Sequence, residues 1–207
     1  MLPVLIGGMW SFTDVLGETG TQVEERTLRL IASMAANSLD ITTVKTLRGD
    51  MGDSGSQAFA ALRAELKKIQ RAAPNARFAR LMGERGSDVV FLADAEDENS
   101  PEYSPPGQVY SGAPAALLRV FSDGGPLVEK PYRDKRGEWA SGLAALKDGT
   151  TGRVVAVLGI DVPADDWRRQ IGRYRLYGAG IVGFLLALFG ILLFFQPEDR
   201  PPESPSF

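Results

Sequence analysis

An aspartate interrupts the otherwise apolar segment VVAVLGIDV at position 161. If the segment is a strand, alternation puts Asp161 on the same side as Val155, Val157 and Gly159. A carboxylate buried there without a partner is costly. It needs neighbouring backbone amides, a cation such as Arg80, or the amine of a bound molecule, and Gly159 leaves room on that face. Arg80, in the middle of RFARLMG, has the fork geometry to pair a ligand carboxylate bidentately; the alternative is an exposed strand face. Tyr103, Tyr110, Tyr132 and Trp139 supply aromatic surface of the kind that walls small-molecule pockets. For Tyr132 and Trp139 the competing role is core filling.

Other chemistries are excluded by composition. The 207 residues contain no histidine and no cysteine, which removes Ser-His-Asp and Cys-His catalysis and the usual zinc sites. Ser104 and Ser141 have no histidine to activate them. No cofactor or metal is implied, and the chain reads as a non-enzyme. The acidic run Asp94, Glu96, Asp97 and Glu98 lacks the alternating ligands and terminal glutamate of a calcium loop and reads as a solvated turn. A net charge of -3, with no basic stripe beside aromatics, argues against nucleic acid.

These residues are positioned by two kinds of element. Gln22 to Leu39 has helical apolar spacing at Leu28, Ile31, Ala35 and Leu39. Asp40 caps a short turn through Leu47. Ser56 caps a second helix whose stripe is Phe59, Leu62, Leu66 and Ile69, stopped by Pro74-Asn75. From Arg77 the period changes to two. Five strands are expected: Phe78 to Gly83, Val89 to Ala93, Leu127 to Tyr132, Trp139 to Leu146 and Val154 to Val162. Hairpin-type turns join the first pair and separate the last three. Between the second and third strands lie a polar segment, Glu96 to Ala113, and a short helix opened by Pro114. The expected architecture is α+β, with helices packed on one face of a mostly antiparallel sheet.

Leu176 to Phe195 is twenty residues without a charge, the length that crosses a ~30 Å hydrocarbon core. Pro163 starts a helix that nothing interrupts before Phe195. The expected organisation is therefore a 22–163 head, a 164–175 juxtamembrane helix, a 176–195 transmembrane helix and a disordered tail at 196–207. Residues 1–21 read as irregular and apolar, either a loose start packed on the head or the remnant of a first transmembrane helix. Ala179, Gly183, Ala187 and Gly190 form a small-residue stripe that favours helix pairing and a homodimer. Arg168, Arg169, Arg173 and Arg175 precede the span, and the positive-inside rule would keep the head cytoplasmic.

The order of RFARLMGERG, VVFLADAE, SPEYSPPGQVY, PLVEKPYRDKRGEW and TGRVVAVLGIDVPADDW resembles the extracytoplasmic Cache/PDC (PAS-like) sensor domains of bacterial membrane receptors, such as sensor histidine kinases. The similarity runs from about Glu24 to Trp167, with GIDVPADDW before a membrane helix its most specific piece. It implies a PAS-like Cache/PDC domain with N-terminal helices, a five-stranded sheet and one C-terminal transmembrane helix. It further implies a periplasmic head on the bacterial inner membrane, binding a small molecule such as an amino acid or a carboxylate. The pocket it implies lies between the sheet and the long loop, bringing Arg80, Tyr103, Tyr110, Tyr132, Trp139 and Asp161 together. The partner would be a second copy or a signalling protein, since no output module follows the span. Arg136 departs from the pattern, standing in the turn where an aromatic is expected. A single-span adaptor using the same fold for protein contact is the alternative.

Overall fold

A computed structural model describes residues 2–195 other than Lys135, with side chains from Val15 onward except that of Leu193. The expected disordered tail, 196–207, lies outside the described residues. The described residues form two compact units, one spanning Thr21–Gln170 and one built from the residues before and after it.

In the head, five strands pair in the order β2-β1-β5-β4-β3. They are β1 Phe78–Arg85, β2 Asp88–Asp94, β3 Leu127–Asp134, β4 Gly137–Lys147 and β5 Val154–Pro163. Every pairing is antiparallel. The apolar run of β5 is central, and Ala156 to Val162 is buried without alternation. Such continuity means that both faces of the strand are covered, which corrects the expectation of helices on one face. One face is covered by the long first helix, α1 Leu2–Ser38: Gly142 of β4 lies directly under Leu28 and Ala32. The opposite face carries the helix α4 Ala115–Asp123, whose Leu117 and Val120 pack with Met82, Phe91, Leu143 and Val157.

Two further helices are capped as their sequences dictate. Asp40 accepts from Thr42 N and Thr43 N at the start of α2 Ile41–Thr46, and Ser56 accepts from Phe59 N at the start of α3 Gln57–Ala72. Each side chain satisfies N–H groups that the helix itself leaves unpaired. A short 3₁₀ turn, Met51–Asp53, fell in an expected loop; buried Asp53 accepts from Arg48 N and Gly49 N there.

The polar segment after β2 is held down along its length. Gly107 N donates to Phe91 O, Phe91 N to Gln108 O and Tyr110 N to Val89 O, so the segment covers the outer edge of β2. Covering an edge in this way removes an unpaired row of backbone groups. Gly107 has φ +84°, and a Cβ there would lie 2.8 Å from Asp50 Cα, so only glycine fits this crossing.

Residues 2–21 are not irregular: the helix begins at Leu2 and runs 37 residues. Pro3 falls in the first turn, where its missing N–H has no helical partner to lose. The glycines that follow lower helix propensity by about 1 kcal/mol each without terminating it. In the second unit this helix runs antiparallel to the last helix, α5 Ala164–Phe194, with Gly20 against the Tyr174 ring and Gly178 against Leu16. From Ala164 to Leu192, α5 is long and apolar enough to cross a membrane. Leu176, Phe184 and Phe189 among its apolar side chains are exposed.

Gly142→Ala tests the α1 contact, because the new methyl would lie 2.8 Å from Leu28 Cγ and 2.9 Å from Leu28 O. Backbone cannot yield as a flexible side chain can, so a loss of about 1–3 kcal/mol is expected, read from the denaturation midpoint.

Candidate functional site

On the α4 face a chain of polar side chains crosses all five strands in their sheet order. Tyr132 of β3 bonds Ser141 of β4 through their hydroxyls at 3.1 Å. Ser141 Oγ donates to Asp161 Oδ1 of β5 at 2.5 Å. Arg80 of β1 donates through Nη1 to Asp161 Oδ2 and through Nε to Asp94 Oδ2 of β2, both at 3.1 Å. Asp94 also accepts from Ser104 N and Glu96 N, at 3.0 and 2.9 Å, and so ties the long loop to the chain.

Arg80, Asp94 and Asp161 are 4%, 0% and 8% exposed. Arg80 is therefore not on an exposed strand face; of the partners expected for Asp161 the structure supplies Arg80, and Ser141 joins it unexpected. The guanidinium also lies 3.7 Å from the Phe78 ring centroid, a cation–π contact that suits a buried arginine. Burial raises the Asp161 carboxyl above its ordinary value, with Arg80 and then Ser141 opposing that rise. Burial, followed by the nearby Asp161 charge, likewise raises the Tyr132 and Tyr110 hydroxyls. One guanidinium between two buried carboxylates leaves an excess of one negative charge when all three are ionised.

A small cavity opens beside this chain, lined by Arg80, Tyr110, Tyr132, Ser141 and Asp161 among polar groups, and by Met82 and Leu143 among apolar ones. Its volume is about 10 Å³, space for about one water. A groove of about 260 Å³ lies beyond Tyr110, lined by Gln108, Ser111, Arg133, Asp134 and Arg136. Tyr110 stacks on Phe91 with centroids 5.0 Å apart and borders both spaces.

Four of the six sequence-predicted residues thus converge: Arg80, Tyr110, Tyr132 and Asp161. Two do not line the cavity. Trp139 packs edge-on against Phe78 and donates Nε1–H to Asp134 at 2.9 Å, the core role set against a pocket role. Tyr103 lies beneath the Arg63 guanidinium, 5.2 Å from it. The acidic run is a solvated turn at Asp97 and Glu98, which are exposed, but not at buried Asp94 or part-buried Glu96. Asp94 pairs Arg80, Glu96 pairs Arg77, and Glu98 pairs Arg63.

Asp94 and Ser141 were missed as site residues, and a bulge explains the first. The β1–β2 register passes from Leu81↔Ala93 to Met82↔Phe91 and skips Leu92. Simple alternation puts Asp94 on the opposite face from Phe91; the extra residue re-aims it toward Arg80. A second bulge between Glu129 and Tyr132 holds Pro131 on the edge strand, where a missing N–H is tolerated, and turns Tyr132 toward Ser141. Ser141 had a readable signal: it stands directly across from Asp161 in neighbouring strands.

No family model and no curated protein sequence matches the chain. Solved structures do. The sensory domain of the Campylobacter jejuni chemoreceptor Tlp3 with isoleucine bound superposes with a TM-score of 0.52 at 17% identity, over 82% of this chain and 65% of that one. An extracellular ligand binding receptor from Desulfohalobium retbaense gives 0.54 at 16% identity, over 79% and 27%. The chain spans less than two thirds of either protein's length. The shared feature is the fold, that of Cache/PDC-like extracellular sensor domains.

Arg80→Met would strand two buried carboxylates and is expected to cost about 3–5 kcal/mol. Adding Asp94→Asn and Asp161→Asn should restore part of that loss, because the three changes are coupled through one contact. Thermal denaturation of the single and triple variants measures both.

Proposed function

We propose that the chain is a membrane-anchored sensor whose head binds a small molecule outside the bacterial inner membrane and feeds signal transduction. The carrying observation is the convergence of a buried charged cluster, two tyrosines and a cavity on one sheet face, under a strapped loop. The Cache/PDC-like fold supports it, since solved domains of that fold include a chemoreceptor domain holding isoleucine. An amino acid or a carboxylate is the ligand class proposed, with Arg80, Tyr110, Tyr132 and Asp161 as its contacts; Tyr103 and Trp139 act from behind them.

The helix that leaves β5 continues without interruption to Phe194, so occupancy of the site would bias the position of the membrane segment. Ligand shifts such an equilibrium only by binding one state better than the other. The small-residue stripe on that segment would pair two copies.

A second reading, a single-span adaptor that has kept the fold for protein contact, is favoured by one observation: the cavity holds about 10 Å³. Exposed Val23, Leu30 and Met34 on α1, the last 72% exposed, supply apolar surface for such a partner.

A thermal-shift screen of the full chain in nanodiscs against amino acids and carboxylates separates the two. The sensor reading expects at least one compound to raise the melting temperature by several degrees at high saturation, and Asp161→Ala to abolish that shift. No stabilising compound, together with one stoichiometric protein partner, would replace it with the adaptor.

Orientation has a clean reporter because the chain has no cysteine. Gly149 sits in an open turn with nothing within 4 Å of a Cβ. Gly149→Cys should react with a membrane-impermeant maleimide added to spheroplasts. Protection until the membrane is lysed would place the head in the cytoplasm, as the arginines before the span favour.

A further inference from the structure

We propose that Asp161 is a reversible proton acceptor, so that the buried chain of side chains has two protonation states and the head responds to acidification. Such a device needs no ligand and lies beyond the sensor reading above.

The two carboxylates on Arg80 differ in what surrounds them. Asp94 accepts from Arg80 Nε, Ser104 N and Glu96 N. These N–H groups donate and cannot accept, so a proton on Asp94 would have to displace one of them. Besides Arg80, the side-chain partner of Asp161 is a hydroxyl, Ser141 Oγ, which bonds in turn to Tyr132 Oη. Hydroxyls both donate and accept. A solvent proton added to Asp161 Oδ1 would therefore reverse the row: Asp161 donates to Ser141, Ser141 donates to Tyr132, and the Tyr132 proton turns toward the cavity. Each hydrogen bond in the row survives with its direction reversed, and Arg80 Nη1 still donates to Oδ2. Access shows the same asymmetry. Asp94 is 0% exposed, whereas Asp161 lines the cavity, which has space for about one water.

Charge favours the same site. The charged and titratable groups facing Asp161 are Arg80 of β1, Asp94 of β2, Tyr132 and Asp134 of β3, and Tyr110 of the loop. Strand β4 supplies Ser141 and Leu143 and helix α4 supplies Leu117, none of them ionisable near neutral pH. Arg77, whose N–H bonds the Asp161 carbonyl, is paired with Glu96 and Glu102. Asp134 Oδ1 is held by Arg136 N, Gly137 N and Trp139 Nε1. A proton on Asp161 leaves Arg80 and Asp94 as an equal pair, the condition under which buried charge is tolerated. Burial raises the Asp161 carboxyl against the opposing pull of Arg80 and Ser141. A folded value above the unfolded one stabilises the head fully below the unfolded value, and that stabilisation is lost as pH rises through the folded value. Helix α5 begins at Ala164, three residues after Asp161, so the two states differ beside the point where the sheet passes into the last helix.

Two measurements on the full chain in nanodiscs test this, both made while acidifying from neutral pH. Infrared spectra with aspartate isotope-labelled at the side-chain carboxyl should gain a carboxylic-acid band with the intensity of one residue, before the exposed aspartates protonate. Asp161→Asn, which matches the protonated acid in shape and hydrogen bonding, should remove that early band. Ser141→Ala should shift its frequency, because the acid loses its acceptor; this assigns the band even where Asp161→Asn fails to fold. The melting-temperature difference between the parent chain and Asp161→Asn should move in the parent's favour as pH falls through the same range. No early band, or one unchanged in both variants, would overturn the proposal. So would a melting-temperature difference that stays flat, or one that moves against the parent, as an Asp161 carboxylate held ionised by Arg80 requires. The sensor reading stands or falls separately, on the ligand screen above.

Discussion

The guanidinium of Arg80 holds the buried polar face of this sheet together. Arg80 is the single cation in a chain of side chains to which each of five strands contributes one member, and it bridges the carboxylates on either side. Buried charges persist only when paired and hydrogen-bonded, and among the described residues no fully buried side-chain polar atom lacks a partner. Satisfying that condition also fixes the register. A slip of one residue between β1 and β5 would turn Arg80 or Asp161 to the α1 face, leaving the other charge uncompensated. The arrangement that makes a binding site conceivable is thus the same one that specifies the sheet.

The long loop is part of this constraint. Asp94 accepts from Ser104 N and Glu96 N on the loop while holding Arg80. Arg136 Nη2 reaches Ser104 Oγ at 2.9 Å. Arg63 ties the loop again through the carbonyls of Asp94 and Glu96, at 3.1 and 2.8 Å. With backbone bonds to β2 added, the segment is fastened at both ends and along its middle. Rearrangement on this face is therefore more economically placed in side chains than in a swing of the whole loop.

Much of this architecture was legible in the sequence because local signals agreed with one another. The caps at Asp40 and Ser56, the period change at Arg77 and the opening of α4 at Pro114 each rest on backbone groups seeking partners, which sequence reports directly. Asp161 was legible for a related reason: an ionisable residue in an apolar strand requires a compensating group. What could not be read was set by tertiary geometry. Bulges at Leu92 and near Pro131 change which face a side chain meets, and alternation contains no mark of them. The helix from Leu2 was missed because its apolar, glycine-bearing start has neither a cap nor a clear amphipathic stripe.

The two bulges also explain why the site sits where it does. Both lie in edge-ward strands and each inserts one residue into the register, turning Asp94 inward from one flank and Tyr132 from the other. Bulges tighten local twist and re-aim side chains at functional positions. Without them, the central pair Arg80 and Asp161 would face each other alone, and the equal charges would cancel. With Asp94 brought in, the balance tips to net negative, and with Tyr132 brought in, a hydroxyl extends the acceptor line toward the cavity. A sheet built only for stability gains little from a second carboxylate against one arginine, because each added buried charge carries several kcal/mol of desolvation. Asp94 is accounted for by the loop it fastens, since it accepts from Glu96 N and Ser104 N while holding Arg80.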